Sequence, residues 1–337
     1  MVSNRVLGEA AILLARIDLQ VAIWGRVRLD FIKMHGAGND YVFCDGFAGP
    51  IPSDPTELAV RISHRALGIG ADGLVLMVPP NTGVDASNGD STDRPDVLMK
   101  MWNADGSEGT MCGNAARCVA FWMKRTGKAS TECRIQMGAA LLVADVSQLD
   151  ASGSGSESVS VTMPTPEYSG ALALPEVQAA GRFRRVLSDR PKHDGLIGYT
   201  VDCGNQHAVI FVDSLSDDLV RTLGPAVENH SLFPSRINVE FVTVRDRRTL
   251  DVRVWERGSG ETLACGSGAC AAVVAAISRQ LCDTEVPINV CLPGGTLTVT
   301  WPIPAPTDIH ASCLAAGMLL TGPVCLEYVG TWVGHRS

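Results

Sequence analysis

The sequence contains no C-x-x-C pair, although eleven of its 337 residues are cysteine. That excludes a zinc ribbon and a thioredoxin-type redox site. The cysteine count is odd and no secretory signal precedes it, so free thiols in a reducing, cytoplasmic compartment are expected. Long hydrophobic runs are missing too. A fairly apolar stretch, Ala10 to Trp24, is interrupted by Arg16 and Asp18; it is too short and too charged to span a bilayer, and no small-residue cleavage site follows it. Residues 1–26 therefore read as an N-terminal extension folded weakly against the body. Positive charge is scarce: 28 Lys and Arg stand against 36 Asp and Glu, a net charge of −8. This argues against nucleic acid or an anionic membrane as partner. Only five lysines are present. None sits in a phosphate-loop context, which disfavours a Schiff base with pyridoxal phosphate, and no cofactor or metal is expected.

What is present is a soluble, globular composition, with 46% hydrophobic residues in a chain long enough for two cores. One pattern occurs twice. Asn103-Ala-Asp-Gly-Ser-Glu108-Gly-Thr-Met111 leads to Cys112-Gly113-Asn114, and Glu256-Arg257-Gly-Ser-Gly-Glu261-Thr-Leu-Ala264 leads to Cys265-Gly266-Ser267. Each cysteine is followed by a helical apolar spacing: Ala115, Ala116, Val119, Ala120, Met123, and Ala269, Ala272, Val273, Ala276, Ile277. Both cysteines should lie in the first turn of a helix, where free N–H groups and the positive dipole end favour a thiolate.

The remainder supports a duplication. A strand from Arg26 to Lys33 runs into the turn Met34-His-Gly-Ala-Gly38-Asn39 and a second strand; later, Asp202-Cys-Gly204-Asn205-Gln-His207 enters another strand. Asp54 is a plausible N-cap for a helix to about Ala66, and strands are expected at Leu74–Val78 and Val97–Trp102. Gly68 to Gly73 matches G-x-G-x-x-G, but here the helix comes first and the strand second, the reverse of a dinucleotide fingerprint. Pro79 to Asp96 reads as a surface insertion. The helix after Cys112 should end near Gly127, with strands at Cys133–Val146 and Val159–Met163, Ser152-Gly-Ser-Gly-Ser-Glu157 as a hairpin-type loop between them, and a domain boundary at Pro164-Thr-Pro166.

The second half should hold strands at Phe183–Leu187 and Gly198–Val201, a helix at Ser216–Glu228, and strands at Asn238–Val244 and Leu250–Trp255. After Cys265 come a helix to about Leu281, strands at Val286–Leu292 and Gly295–Trp301, and a final pair within Leu314–Tyr328. The Asn-to-Cys spacing is 73 residues from Asn39 to Cys112 and 60 from Asn205 to Cys265, a difference that the Pro79–Asp96 insertion could supply. Two copies facing across a cleft would bring two helix N-termini together, predicting a site at the domain interface.

A free cysteine is usually a small buried hydrophobe. Here the neighbours are Gly, Asn and Ser, and the polar frame is repeated. Gly113 and Gly266 would let the backbone approach a ligand, so that N–H groups of both helix starts hold a carboxylate. Removing the weakly acidic α-proton of an amino acid needs a base on one face and stabilisation of the enediolate-like carboxylate. A thiolate on one face and a thiol on the other would invert the carbon. His207 follows the Asn205 turn and is placed near the site. Glu256, at a strand end, could bind an ammonium or bias a thiol proton. Arg257 suits a carboxylate. Asn39, Asn103, Asn205 and Asn238, all at strand–loop junctions, suit a zwitterionic ligand.

With these residues assembled, the chain closely resembles the diaminopimelate epimerase family. The matching motifs are Met34-His-Gly-Ala-Gly-Asn-Asp, Gly68-Ile-Gly-Ala-Asp, Asn103-Ala-Asp-Gly-Ser-Glu, Cys112-Gly-Asn, Gly204-Asn205 with His207, Asn238-Val-Glu-Phe, Glu256-Arg-Gly and Cys265-Gly-Ser-Gly, across roughly residues 28 to 330. The resemblance implies cofactor-independent interconversion of LL- and meso-diaminopimelate, serving lysine and cell-wall precursor synthesis, by a homodimer.

It also implies an α/β fold of the α+β type. Two pseudo-symmetric domains, 27–163 and 164–320, would each wrap a curved mixed sheet round a central helix, with a strand at 321–330 returning to the first. The active site would lie in the cleft between them. By family roles Cys112 and Cys265 are the acid–base pair and His207 and Glu256 tune them. Asn39, Asn103, Gly113, Asn114, Asn205, Asn238, Glu256, Arg257, Gly266 and Ser267 bind substrate. Three departures stand out: Gly73 where some members carry Gln, Gln206 where Pro is common, and Ser267 where Thr is frequent.

Three other readings remain open. A proline or hydroxyproline racemase of the same fold would tend to carry His where this chain has Asn114. A cysteine hydrolase built on Cys112 and His207 would leave Cys265 without a task. A non-catalytic amino-acid-binding protein would need neither thiol reactive.

Overall fold

The computed structural model describes residues 26–80, 94–149, 156–175, 177, 182–183, 185–188, 196–301 and 317–335. The expected N-terminal extension up to residue 25, most of the 79–96 insertion, residues 152–155 of the Ser152–Glu157 loop and the start of the final strand pair lie outside the described residues, and Ser156 and Glu157 belong to the strand that follows rather than to the loop.

The first half runs β1 (Arg26–Gly36), β2 (Asn39–Asp45), α1 (Pro55–Ser63), β3 (Gly73–Val78), β4 (Val97–Asn103), β5 (Glu108–Gly109), α2 (Gly113–Arg125), β6 (Glu132–Met137), β7 (Ala140–Asp145) and β8 (Ser156–Met163). The second runs β9 (Glu167–Leu174), β10 (Leu196–Asp202), β11 (Gln206–Phe211), α3 (Asp217–Glu228), β12 (Asn238–Asp246), β13 (Thr249–Glu256), β14 (Gly260–Thr262), α4 (Gly266–Ser278), β15 (Ile288–Leu292), β16 (Gly295–Thr300) and β17 (Met318–His335).

The pairing is equivalent in the two halves. β2 lies parallel to β3, and β11 to β12. β4 lies parallel to β6, and β13 to β15. In the first half the strands close a ring, β1-β2-β3-β4-β6-β7-β8-β17 and back to β1. In the second, β9-β10-β11-β12-β13-β15-β16-β17 follow one another. The halves share β17. β8 pairs in the first ring and the chain then runs on into β9 against β10. β17 pairs with β16 through Leu319–Thr321 and runs on against β1 to His335. Each half is thus a curved mixed sheet round one helix, α2 or α4.

Burial of those helices supplies much of the core. Every α4 residue from Gly266 to Ile277 is buried, and Val273, Val274 and Ile277 each contribute roughly 1.5–3 kcal/mol by leaving water. α2 buries ten of its thirteen residues, including Val119, Phe121 and Met123.

Four sequence expectations change. The helix opened by Asp54, whose side chain accepts the Glu57 N–H at 3.2 Å, stops at Ser63 rather than Ala66. There the chain folds back, and Gly68 packs so tightly on the Arg61 carbonyl that a Cβ would lie 2.3 Å from it. The helix after Cys265 ends at Ser278, not Leu281, because Gln280 takes a left-handed φ of 61°. The described residues of 183–187 form no strand beyond a single bridge from Leu187 to Val212, and the strand missed there is Glu167–Leu174. Finally, the described part of the closing pair is one long strand, β17, shared by both halves.

Candidate active site

The polar, Gly-rich run before each cysteine folds as a hairpin, β4–β5 and β13–β14, that ends at the start of α2 or α4. Each cysteine is the N-cap itself, one residue before the expected first turn. Cys112 has extended backbone (φ −150°, ψ 101°) and its sulfur accepts the Ala115 N–H at 3.4 Å. Cys265 (φ −124°, ψ 118°) accepts the Gly268 N–H at 3.4 Å. The sulfurs thus occupy the N-cap acceptor position, satisfying helix donors that would otherwise lack partners.

The two helix starts meet. The Asn114 side-chain amide donates to Ala264 O at 3.2 Å, just before Cys265, and to Asn39 Oδ1 at 3.1 Å. A Cβ on Gly266 would lie 3.2 Å from Asn114 Oδ1 and 3.0 Å from Leu320 Cδ2 of β17. Cys112 and Cys265 line one cavity of about 240 Å³. Asn39, Asn103, Asn114, Asn205, Asn238, Glu256, Arg257, Gly266 and Ser267 line it as well. Gly113 and His207 do not. A Cβ on Gly113 would meet Leu320 Cδ2 at 2.6 Å and Met163 Sδ at 3.1 Å, so this glycine serves close packing.

His207 is wholly buried behind the cavity, with Nδ1 2.7 Å from Glu240 Oε1 and Nε2 2.8 Å from Asn205 Oδ1. It holds Asn205, which does face the cavity. Asn238 accepts the Arg257 N–H at 2.9 Å and donates to Gln206 O at 3.1 Å, tying the Glu256–Arg257 corner to β11. Asn103 closes its own turn on Ser107 at 2.9 Å. At Gly73 a Cβ would lie 2.2 Å from Trp102 O, so this backbone leaves no room there for a glutamine side chain.

The sequence reading missed three participants. Tyr41 Oη lies 3.3 Å from Cys112 Sγ. Glu240, wholly buried, carries His207. Arg236, held at a left-handed φ of 58° and bound to Glu228 at 3.1 Å, reaches the cavity wall beside Arg257. The aligned turns held one signal for Tyr41, since it and His207 both stand two residues after their asparagine.

Electrostatics work against the simplest expectation. Burial pushes both thiols up. At Cys112 the Tyr41 hydroxyl and the Ala115 N–H oppose that rise, Glu256 adds to it and Arg117 reduces it. Cys265 is driven well above its ordinary value by burial and then by Glu256 and Glu240. Glu256 itself is pushed up to about 7 from 4.5, chiefly by burial; the Thr262 hydroxyl opposes this, and the Asp72 charge adds to it. The helix N-termini alone therefore do not make thiolates here. A positive ligand group beside Glu256 would remove part of the penalty on both sulfurs.

The sequence model of diaminopimelate epimerase matches residues 31–165 and 199–310. The diaminopimelate epimerase of Desulforudis audaxviator is 38% identical over 306 residues, 90% of this chain and 99% of that protein. That of Xylella fastidiosa is 36% identical over 313 residues, 92% and 98%. Among solved structures, a probable proline racemase from Agrobacterium radiobacter aligns with a TM-score of 0.64 at 14% identity, covering 90% of this chain and 92% of that one. A hydroxyproline epimerase from Agrobacterium vitis aligns with a TM-score of 0.62 at 15% identity, covering 91% and 92%. The solved structures establish a shared fold. The sequence matches, spanning both cysteine-capped helix starts, establish more: this chain belongs to the diaminopimelate epimerase family.

Proposed function

We propose that the protein interconverts LL- and meso-diaminopimelate without a cofactor, by proton transfer between Cys112, Cys265 and the substrate α-carbon. The observation that carries this reading is the single cavity lined by two N-capping cysteines, one from each half. The α-carboxylate sits between the two helix starts, where the N–H groups around Gly113–Asn114 and Gly266–Ser267 stabilise the enediolate charge. One thiolate takes the α-proton: the C–H bond breaks, an S–H bond forms, and the electron pair moves into the carboxylate. The opposite thiol gives its proton to the other face, leaving a thiolate there, so the pair ends with its roles exchanged.

Glu256 receives the α-ammonium. Neutralising this carboxylate lifts the penalty it places on both thiols, so substrate binding itself prepares the base. Arg257 and Arg236 suit the distal carboxylate, and Asn39, Asn103, Asn205 and Asn238 complete the polar lining. His207, with Glu240, fixes Asn205. A Cys112–His207 hydrolase fits poorly, because both ring nitrogens of His207 are already occupied.

No helix among the described residues is long and apolar enough to cross a membrane, and the ten described cysteines are free. Both fit a cytoplasmic enzyme. Exposed Tyr328, Val329 and Val333 on β17 support a homodimer; sedimentation as a monomer would overturn that part. The decisive experiment is NMR in deuterium oxide with a small amino-acid panel. Exchange at the α-carbon of LL-diaminopimelate with appearance of the meso form is expected. Exchange into proline and not diaminopimelate would favour the racemase reading, and exchange into neither the binding protein.

A further inference from the structure

The duplication assigns Tyr41 a place that its own sequence context hides. Asn39 and Asn205 open β2 and β11, and two residues on come Tyr41 and His207. The parallel ladders confirm the equivalence, with Tyr41 beside Gly73 and His207 beside Asn238. The two side chains have diverged. His207 is held by Glu240 and Asn205, whereas Tyr41 directs its hydroxyl at a cysteine sulfur, 3.3 Å from Cys112 Sγ, and lines the cavity.

The direction of that bond follows from its surroundings. Tyr41 is 5% exposed. Burial, with Cys112, Glu256 and Asp72 nearby, drives its phenol well above the ordinary value of 10, so the hydroxyl keeps its proton and has it to donate whenever Cys112 is a thiolate. A Cys112 thiolate would then hold two donors, the Ala115 N–H and the Tyr41 O–H. Cys265 has the matching set, the Gly268 N–H at 3.4 Å and the Ser267 hydroxyl at 3.5 Å. Each sulfur meets one helix amide and one hydroxyl, but only the first draws its hydroxyl from a neighbouring strand. Other groups acting on Cys112 are Glu256 from β13 and Arg117 and Cys118 from α2. Asn39 Oδ1, at 4.0 Å, accepts from the neutral thiol.

We propose that Tyr41 is a positioning residue that holds Cys112 as a thiolate aimed at the substrate carbon, which rests on the epimerase reading above. Tyr41→Phe removes one oxygen and keeps the ring. The test is iodoacetamide alkylation of the full-length protein across a pH series without substrate, read at each cysteine by mass spectrometry. Loss of a hydrogen bond to a charged sulfur should raise the Cys112 midpoint by about one pH unit, making alkylation near neutral pH about tenfold slower. Cys265 in the same samples should keep its midpoint. An unmoved or lowered Cys112 midpoint would overturn the proposal. In parallel, Tyr41→Phe should lower kcat for diaminopimelate more than it raises KM and shift the acid limb of the profile upward. If Tyr41→Phe raises the Cys112 midpoint but wild type shows no epimerisation, the function reading fails and the Tyr41–Cys112 bond stands. If wild type epimerises and the thiol midpoints coincide, Tyr41 has no such role.

Discussion

The helices behind the two cysteines start alike and continue differently. Aligned on the cysteine, Asn114, Ala115 and Arg117 of α2 face Ser267, Gly268 and Cys270 of α4. In α2, Asn114 joins both halves through Asn39 and Ala264, and its oxygen accepts from Arg117 Nη2 at 2.9 Å. Arg117 is 0% exposed and also donates to Gly113 O at 3.3 Å, and its Nε meets no acceptor among the described residues. α4 has no such polar brace. It is small and apolar, and Gly268 lets Glu240 come so close that a Cβ would lie 2.6 Å from Oε1. One copy became the clamp and the other the surface it closes on. That division also separates the sulfurs: Glu256 acts on both, but Cys112 has Tyr41 and Arg117 beside it, whereas Cys265 faces Glu240.

Breaking either sulfur should have the largest effect. Cys112→Ala and Cys265→Ala should each reduce epimerisation by about 10²–10⁴-fold with circular dichroism unchanged. Wild-type exchange of the α-proton in either variant would exclude the two-thiol reaction. Next comes the packing difference. Gly268→Ala should cost about 1–3 kcal/mol in denaturant melts, because Glu240 must move. The matched change in the other helix, Ala115→Gly, should cost only about 1 kcal/mol. Equal losses would show that the two starts pack alike.

Arg117→Met keeps volume while removing the brace on Asn114. Since burying an uncompensated cation is itself costly, its melting temperature should stay within a few degrees of wild type. Activity should fall on the order of tenfold as Asn114 loosens. A large loss of stability with full specific activity would reverse that assignment.

The smallest effect is a pH signature at Glu256. Its folded value of about 7 lies above the ordinary 4.5, so its contribution to stability is present below pH 4.5 and is lost as pH rises through 7. The advantage in melting temperature of Glu256→Gln over wild type should therefore grow from about pH 4.5 to about 7 and then level off. A difference constant across that range would count against a half-buried, proton-holding carboxylate.

Much of the site was legible because its signals are local. A polar, Gly-rich run ending in Cys-Gly before an apolar helical spacing marks a helix start wherever it occurs, and its repetition marked both. Asparagines at strand–loop junctions could be named for the same reason. Nothing in their own segments singles out Tyr41 or Glu240, because their partners Cys112 and His207 lie 71 and 33 residues away. β9 was missed, and Phe183–Leu187 taken in its place, because an edge strand with half-exposed residues has weak periodicity.

By itself the sequence determined the duplication, a helix start beside each of the two cysteines and the polar character of the site, since these depend on backbone hydrogen bonding and apolar spacing within a few residues. Only the tertiary structure decided which side chains reach each sulfur, and that His207 stands behind the cavity rather than in it. Those outcomes depend on contacts between distant segments. Burial there sets proton affinities, and no local pattern encodes which distant group will be brought into contact.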